Sequence, residues 1–247
     1  MRTNPPRTRN SRGPHDSVER SNLLLMLLPG DERERLVAAG TVVELQAGDI
    51  LHEVGEQIRK VYFPYAGVIS ILGVLSTGEA VEAATIGREG MVGLPVFLGS
   101  HVATTRTAVQ VGGSALALDG AVFRAELKSE DGRLAIAMAR YAEIMFFSAA
   151  QGSACNRVHS LSARLARAIL TWHDRLGSEM LPVTQDALAD ALGVRRAGVT
   201  AAISEFVRAG ALRRGRGKLY LTRRKELEGH ACECYEVLSE AYRRPIS

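Results

Sequence analysis

Between Leu181 and Leu221 the chain reads LPVTQDALADALGVRRAGVTAAISEFVRAGALRRGRGKLYL, two helical periodicities parted by one glycine and followed by an alternating segment. Thr184 offers a hydroxyl to an unpaired backbone N–H, which predicts the start of a first helix carrying Leu188 and Leu192 on one apolar face. Gly193 supplies a turn. A second helix is predicted from about Arg195, with Val199, Ile203 and Phe206 spaced three or four apart so that they bury against the first. That packing leaves Arg195, Arg196, Ala197 and Ala201 facing outward. Gly210 closes the helix, and Leu212 to Leu221 alternates around RRGRGK, a turn with four cations.

Helix, glycine turn, helix and basic hairpin in that order predict a winged helix-turn-helix that binds double-stranded DNA, rather than a surface helical hairpin beside a solvated charge run. The expected contacts are Thr184, Gln185, Arg195, Arg196, Ala197, Gly198, Thr200 and Ala201 from the helices, and Arg214, Arg216 and Lys218 from the wing. Arg196 is the candidate base reader, because a guanidinium pairs with guanine O6 and N7. Arg195 is placed for phosphate. Gly198 is expected to loosen the second helix, at a cost near 1 kcal/mol.

The remaining 200 or so residues leave ample material for a second core. Formal net charge is +4, but the cations cluster in residues 1–20 and between Arg195 and Lys225, so the local field outweighs the total. No apolar run approaches the roughly 18 to 20 residues that span a bilayer, and no apolar signal core follows the first arginines. The expectation is a cytoplasmic protein without membrane contact. Three cysteines, an odd number, suit a reducing compartment and no disulfide framework.

Along the chain, residues 1–20 are rich in Arg, Pro, Ser and Asn and read as a disordered basic tail. Ser21 to Ala39 suggests two short helices broken at Pro29-Gly30. From Thr41 to about Leu118, short apolar segments alternate with glycines, which predicts a β-sandwich or barrel and a sensor domain over 21–130. In Gly132 to Arg157, the residues Leu134, Met138, Tyr141, Met145, Ser148, Gly152 and Cys155 recur at alternating spacings of four and three. This alternation marks an apolar seam, which suits a dimer helix (131–158) and equally a helix packed within its own chain. Ser160 caps a further amphipathic helix with Leu161, Leu165, Ile169 and Trp172. The DNA-binding domain is thus expected over 159–229 and a helical tail over 230–247.

Gly48-Asp49, Gly55, the aromatic pair Tyr62-Phe63 before Gly67, and the helix-turn-helix together resemble the Crp/Fnr family, that of the cyclic-AMP receptor protein and the fumarate-nitrate regulator. The resemblance covers about residues 22 to 229. It implies an α+β fold: an N-terminal double-stranded β-helix or jelly-roll sensor, a long dimerisation helix and a C-terminal winged helix-turn-helix. It also implies a homodimeric transcription regulator, controlled by an effector and acting with RNA polymerase. In the family's cyclic-nucleotide binders a glycine-glutamate pair holds the ribose and an arginine-serine pair holds the phosphate. Here Gly93-Leu94 and Arg106-Thr107 stand at those places. Leu94 removes the ribose acceptor, which argues against cyclic AMP, and Arg106 remains a candidate for a small anion or for pairing Glu82 or Glu89.

No cofactor is expected. An iron–sulfur cluster wants about four thiolates, and only Cys155, Cys232 and Cys234 exist. The one-residue gap between Cys232 and Cys234, near His230, is not the spacing of a zinc knuckle, so no metal site is expected either. His52 and His101 are isolated, which fails the clustered histidines of a metal-dependent cupin, and neither a nucleophile elbow nor a P-loop is present. The chain therefore reads as a regulator and not an enzyme. A small-molecule-binding signalling module is the rival reading, and it leaves the second helix and wing without a purpose.

Overall fold

The computed structural model describes residues 21–128 and 132–243; the basic segment expected over 1–20 lies outside them. Two compact units result. One takes the residues up to Leu72 together with Thr85–Met145, the other Gly73–Ala84 and the residues from Phe146 onward.

The first unit opens with α1 (Leu23–Met26) and α2 (Gly30–Ala39), parted at Pro29 as expected. Asn22 anchors them from a buried position. Its side-chain oxygen accepts from the Leu25 N–H at 3.1 Å, and its amide donates to the carbonyls of Pro64 and Gly90 at 3.0 and 2.8 Å. A buried amide with its hydrogen bonds made ties the helices to the strands at little desolvation cost.

The glycine-punctuated stretch folds into β1 (Thr41–Leu45), β2 (Ile50–His52), β3 (Lys60–Pro64), β4 (Val68–Val74) and β5 (Ala80–Ile86), then α3 (Leu94–Phe97), β6 (Arg106–Val111) and β7 (Gly113–Asp119). The sheets run β1-β7-β3 and β2-β6-β4-β5. Strands β1 and β3 flank β7 antiparallel, and β2 and β4 flank β6 in the same sense, so neighbours in space are distant in sequence, as in a jelly roll. Val61, Phe63, Ile69, Leu116 and Leu118 fill the interior. Gly67 makes the turn after β3 possible: its φ is 101°, and an added Cβ would lie 2.7 Å from the Val111 carbonyl oxygen.

After α4 (Gly120–Glu126) comes α5 (Arg133–Val158). Most of the side chains expected to form a seam between two chains are buried within the single chain. Leu134, Met138, Tyr141, Met145, Ser148 and Cys155 are buried, and Gly152 is half-buried. The Tyr141 hydroxyl donates to the Met91 carbonyl at 2.9 Å, and Glu32 caps the helix start by accepting from the Leu134 N–H at 3.0 Å. Farther along, Ser148 Oγ donates to the Tyr242 hydroxyl at 3.3 Å, and Cys155 meets Cys232. A 3,4 spacing marks an apolar stripe without stating what covers it. The large apolar side chains that α5 leaves exposed are Ile136, Phe146, Phe147 and Val158.

The second unit continues with α6 (Leu161–Leu176), β8 (Met180–Leu181), α7 (Gln185–Leu192), α8 (Arg196–Arg208), β9 (Leu212–Gly215), β10 (Lys218–Leu221), α9 (Arg224–His230) and α10 (Cys234–Arg243). Ser160 caps α6, its Oγ accepting from the Ala163 N–H at 3.3 Å, and Leu165, Ile169 and Trp172 are buried beneath the domain. The single terminal helix expected after Thr222 is two, broken at Ala231, whose extended backbone (φ −74°, ψ 150°) ends α9. Arg224 fastens α9 to α6: its guanidinium lies 2.7 Å from Asp174, which also accepts from the Tyr235 hydroxyl at 2.6 Å. Burial would raise the Asp174 carboxyl, but those two hydrogen bonds prevail and hold it below the usual range.

Candidate nucleic-acid interface

Thr184 caps α7 as predicted, its Oγ1 accepting from the Ala187 N–H at 3.1 Å. The helix ends at Gly193, whose φ of 63° lies in the left-handed region and lets the chain turn into α8. Val199, Ile203 and Phe206 on α8 are fully buried, along with Leu188 and Leu192 on α7. The opposite face of α8 presents Arg195, Arg196, Ala197 and Ala201 to solvent, with Gly198 and Thr200 half-buried.

Two side-chain contacts join the helices. The Thr200 hydroxyl donates to Gln185 Oε1 at 2.6 Å, which makes Gln185 a positioning residue as well as an expected contact. Arg196 Nη1 lies 3.3 Å from Asp186 Oδ2, with side chains 65% and 60% exposed. An ion pair that exposed contributes about 0 to 1 kcal/mol, so Arg196 exchanges Asp186 for another acceptor at small cost. Gly198 has a packing reason that periodicity did not show. The Leu161 Cδ2 methyl of α6 sits 2.7 Å from where a Cβ would stand, so glycine lets α8 approach α6 closely.

The wing is β9 and β10, with Gly215 paired to Lys218 and Arg216-Gly217 at the tip. The two-residue β8, too short to show alternation in the sequence, completes the sheet β8-β10-β9. Its cations divide the work. Arg213 stacks on Tyr220, 3.7 Å from the ring centroid. Arg214, expected on phosphate, also bridges wing and helix, donating to Ser204 Oγ at 2.6 Å and the Thr200 carbonyl at 3.2 Å. Lys218 is half-buried, its ammonium 5.8 Å from the Tyr220 centroid, and Arg216 is exposed at the tip. Arg216→Ala is therefore expected to weaken binding to every duplex alike and to reduce the salt slope by about one, read by titrations at several salt concentrations.

A sequence family described as a Crp-like helix-turn-helix domain matches residues 163–229. FixK2 from Bradyrhizobium japonicum is 16% identical over 78% of this chain and 98% of its own, with a TM-score of 0.67. A CRP/FNR family transcriptional regulator from Thermus thermophilus is 23% identical over 77% and 97%, with a TM-score of 0.62. The c-di-GMP responsive regulator CLP from Xanthomonas campestris is 14% identical over 79% and 100%, with a TM-score of 0.64. No curated protein matches the chain at the level of sequence. The chain has the Crp/Fnr fold, with a Crp-like helix-turn-helix domain at residues 163–229.

Within the β-roll of this Crp/Fnr fold, Gly93, Leu94 and Thr107 line one cavity together with His52, Met91 and Tyr141. Its volume is about 30 Å³, room for roughly one water, against about 300 to 1,000 Å³ in pockets that enclose small ligands. Arg106 does not line the cavity, and its partner is neither Glu82 nor Glu89: its Nε donates to both carboxylate oxygens of Glu53, at 3.0 and 2.9 Å. The hydrogen-bond donor expected for an anion is thus engaged by a carboxylate 53 residues upstream, a pairing that strand register sets and spacing does not reveal.

The cysteines depart furthest from expectation. Cys232 and Cys234 are accompanied not by His230, whose ring lies 5.1 Å from that of Phe206, but by Cys155 and His159. Local spacing shows only ligands near in sequence, whereas these come from the end of α5. No helix among the described residues is long and apolar enough to cross a membrane.

Proposed function

We propose that the protein is a sequence-specific, DNA-binding transcription regulator that acts as a homodimer on a roughly palindromic site. The carrying observation is the first turn of α8. Arg195 and Arg196 stand exposed there on a helix held rigidly by Val199, Ile203 and Phe206, with the cationic tip at Arg216 on the same domain. This is the arrangement by which a recognition helix enters a major groove while a wing meets the flanking backbone. Arg196 reads guanine, Arg195 and Arg216 meet phosphate, and Ala197 and Ala201 touch thymine methyls or allow close approach. Thr184, at the α7 N-terminus, meets backbone phosphate. The contact to RNA polymerase that the family resemblance implies belongs to the same reading.

The dimer forms through the outward face of α5, where Ile136, Phe146, Phe147 and Val158 remain uncovered within one chain. Two-fold pairing there places two recognition helices on inverted half-sites. A small effector in the roll controls the protein, and Leu94 in the place of a ribose acceptor argues against a cyclic nucleotide as that effector.

Incubating the purified protein with a random duplex pool and sequencing what it retains tests this reading. The expected motif has two inverted half-sites about one helical turn apart. A retained pool with no shared motif would overturn sequence-specific recognition.

A further inference from the structure

We propose that Cys155, His159, Cys232 and Cys234 form a zinc-binding site that pins the C-terminal helices to the junction of α5 and α6. Cys155 and His159 lie four residues apart at the end of α5 and share a helix face. Cys232 and Cys234 straddle Glu233 where the chain leaves the extended Ala231 and enters α10. Cys155 Sγ is 3.6 Å from Cys232 Sγ, Cys234 Sγ is 3.6 Å from His159 Nδ1, and all four ligand atoms lie within 4.8 Å of one another. A tetrahedral zinc ion, with Zn–S near 2.3 Å and Zn–N near 2.0 to 2.1 Å, requires sulfur–sulfur edges of about 3.8 Å and sulfur–nitrogen edges of about 3.5 Å. The two pairs at 3.6 Å match those edges, and the 4.8 Å span of the whole group leaves about 1 Å to contract around an ion. Thiolates that hold a polynuclear iron–sulfur cluster bind different irons and are spread more widely, so the geometry selects one ion.

The surroundings match a metal site better than simple packing. The three cysteines are 1%, 7% and 1% exposed, yet four polar or chargeable groups converge where aliphatic side chains would fill the space as well. His159 Nε2 lies 3.1 Å from Glu233 Oε1, so the ring N–H donates to that carboxylate and Nδ1 is left bare toward the sulfurs. A carboxylate on the distal nitrogen is how metal-ligating histidines are oriented and made more basic. Gln151 Nε2 donates to Cys234 Sγ at 3.1 Å, a bond that favours a thiolate. Three thiolates around one divalent cation leave one excess negative charge. The Arg167 guanidinium, which acts electrostatically on both Cys155 and Cys232, offsets it. Closing the site ties α5 to a segment about 75 residues away, a loop whose constraint stabilises the fold that presents the recognition helix. This inference stands on side-chain geometry alone and does not depend on DNA binding.

The test uses the full chain, reduced and stripped with a chelator, then titrated with zinc against a chromogenic competitor, with metal content measured by mass spectrometry. One zinc per chain is expected. Cobalt(II) in its place is expected to show tetrahedral d–d bands and thiolate-to-metal charge transfer. Cys232→Ser is expected to abolish tight binding. Glu233→Gln, at a largely exposed position, is expected to keep the fold by circular dichroism and weaken zinc about 10- to 100-fold. If Cys232→Ser does not fold, Glu233→Gln decides. Failure of the reduced, folded wild type to bind zinc would overturn the proposal. So would cobalt spectra without thiolate charge transfer, or unchanged affinity in Glu233→Gln.

Discussion

Replacing Arg196 by alanine is expected to cost about 1 to 3 kcal/mol of affinity for the selected operator while leaving affinity for random duplex nearly unchanged. The asymmetry follows from its position. Arg196 opens α8, its side chain is 65% exposed, and its partner within the chain is Asp186 at 3.3 Å, a solvent-facing carboxylate that holds it only weakly. Its removal leaves no buried group unpaired and disturbs no core side chain, so loss of affinity reports on the DNA and not on the fold. Anisotropy titrations of operator and scrambled duplexes at one salt concentration separate the cases. Equal losses on both would place Arg196 on phosphate. Asp186→Ala is the companion: freeing the guanidinium should leave specificity intact.

Phe146→Glu is expected to break the proposed dimer into monomers. Phe146 is 79% exposed on α5 with Phe147 beside it, an apolar surface that a lone chain leaves in water. Burying a phenylalanine is worth about 1.5 to 3 kcal/mol, and a two-fold interface counts it twice, so the substitution removes roughly two to four decades of dimerisation constant. Sedimentation equilibrium reads that shift directly. The monomer should then retain only weak binding to a single half-site. An unchanged dimer would move the interface off this face of α5.

Local chemistry was the most legible part of the chain. Thr184 and Ser160 as caps, Gly193 as the turn, and the buried triad Val199, Ile203 and Phe206 depend on neighbours within four residues, and the structure places each as read. The β-roll was legible in kind, because glycines and alternation mark short strands, but not in partner: Arg106 on Glu53 depends on which strands pair. What covers the apolar stripe of α5 was not legible, because a heptad spacing is the same whether its cover is a second chain or its own. A glycine read as a weak point, Gly198, proved to be a close approach to Leu161. The cysteine–histidine cluster was invisible for the same reason as the ion pair, since its halves are separated by more than 70 residues and meet only when α10 folds back on α5.

The central claim, that α8 and its wing form a DNA-reading surface, is tested most directly by measuring affinity for the selected palindrome and for a random duplex across a salt series. The account predicts that log affinity falls linearly with log salt for both duplexes, through counterion release by arginines such as Arg195 and Arg216. It also predicts that the palindrome keeps an advantage of about 1,000-fold or more at physiological salt. Affinity indifferent to salt, or equal for the two duplexes, would contradict it.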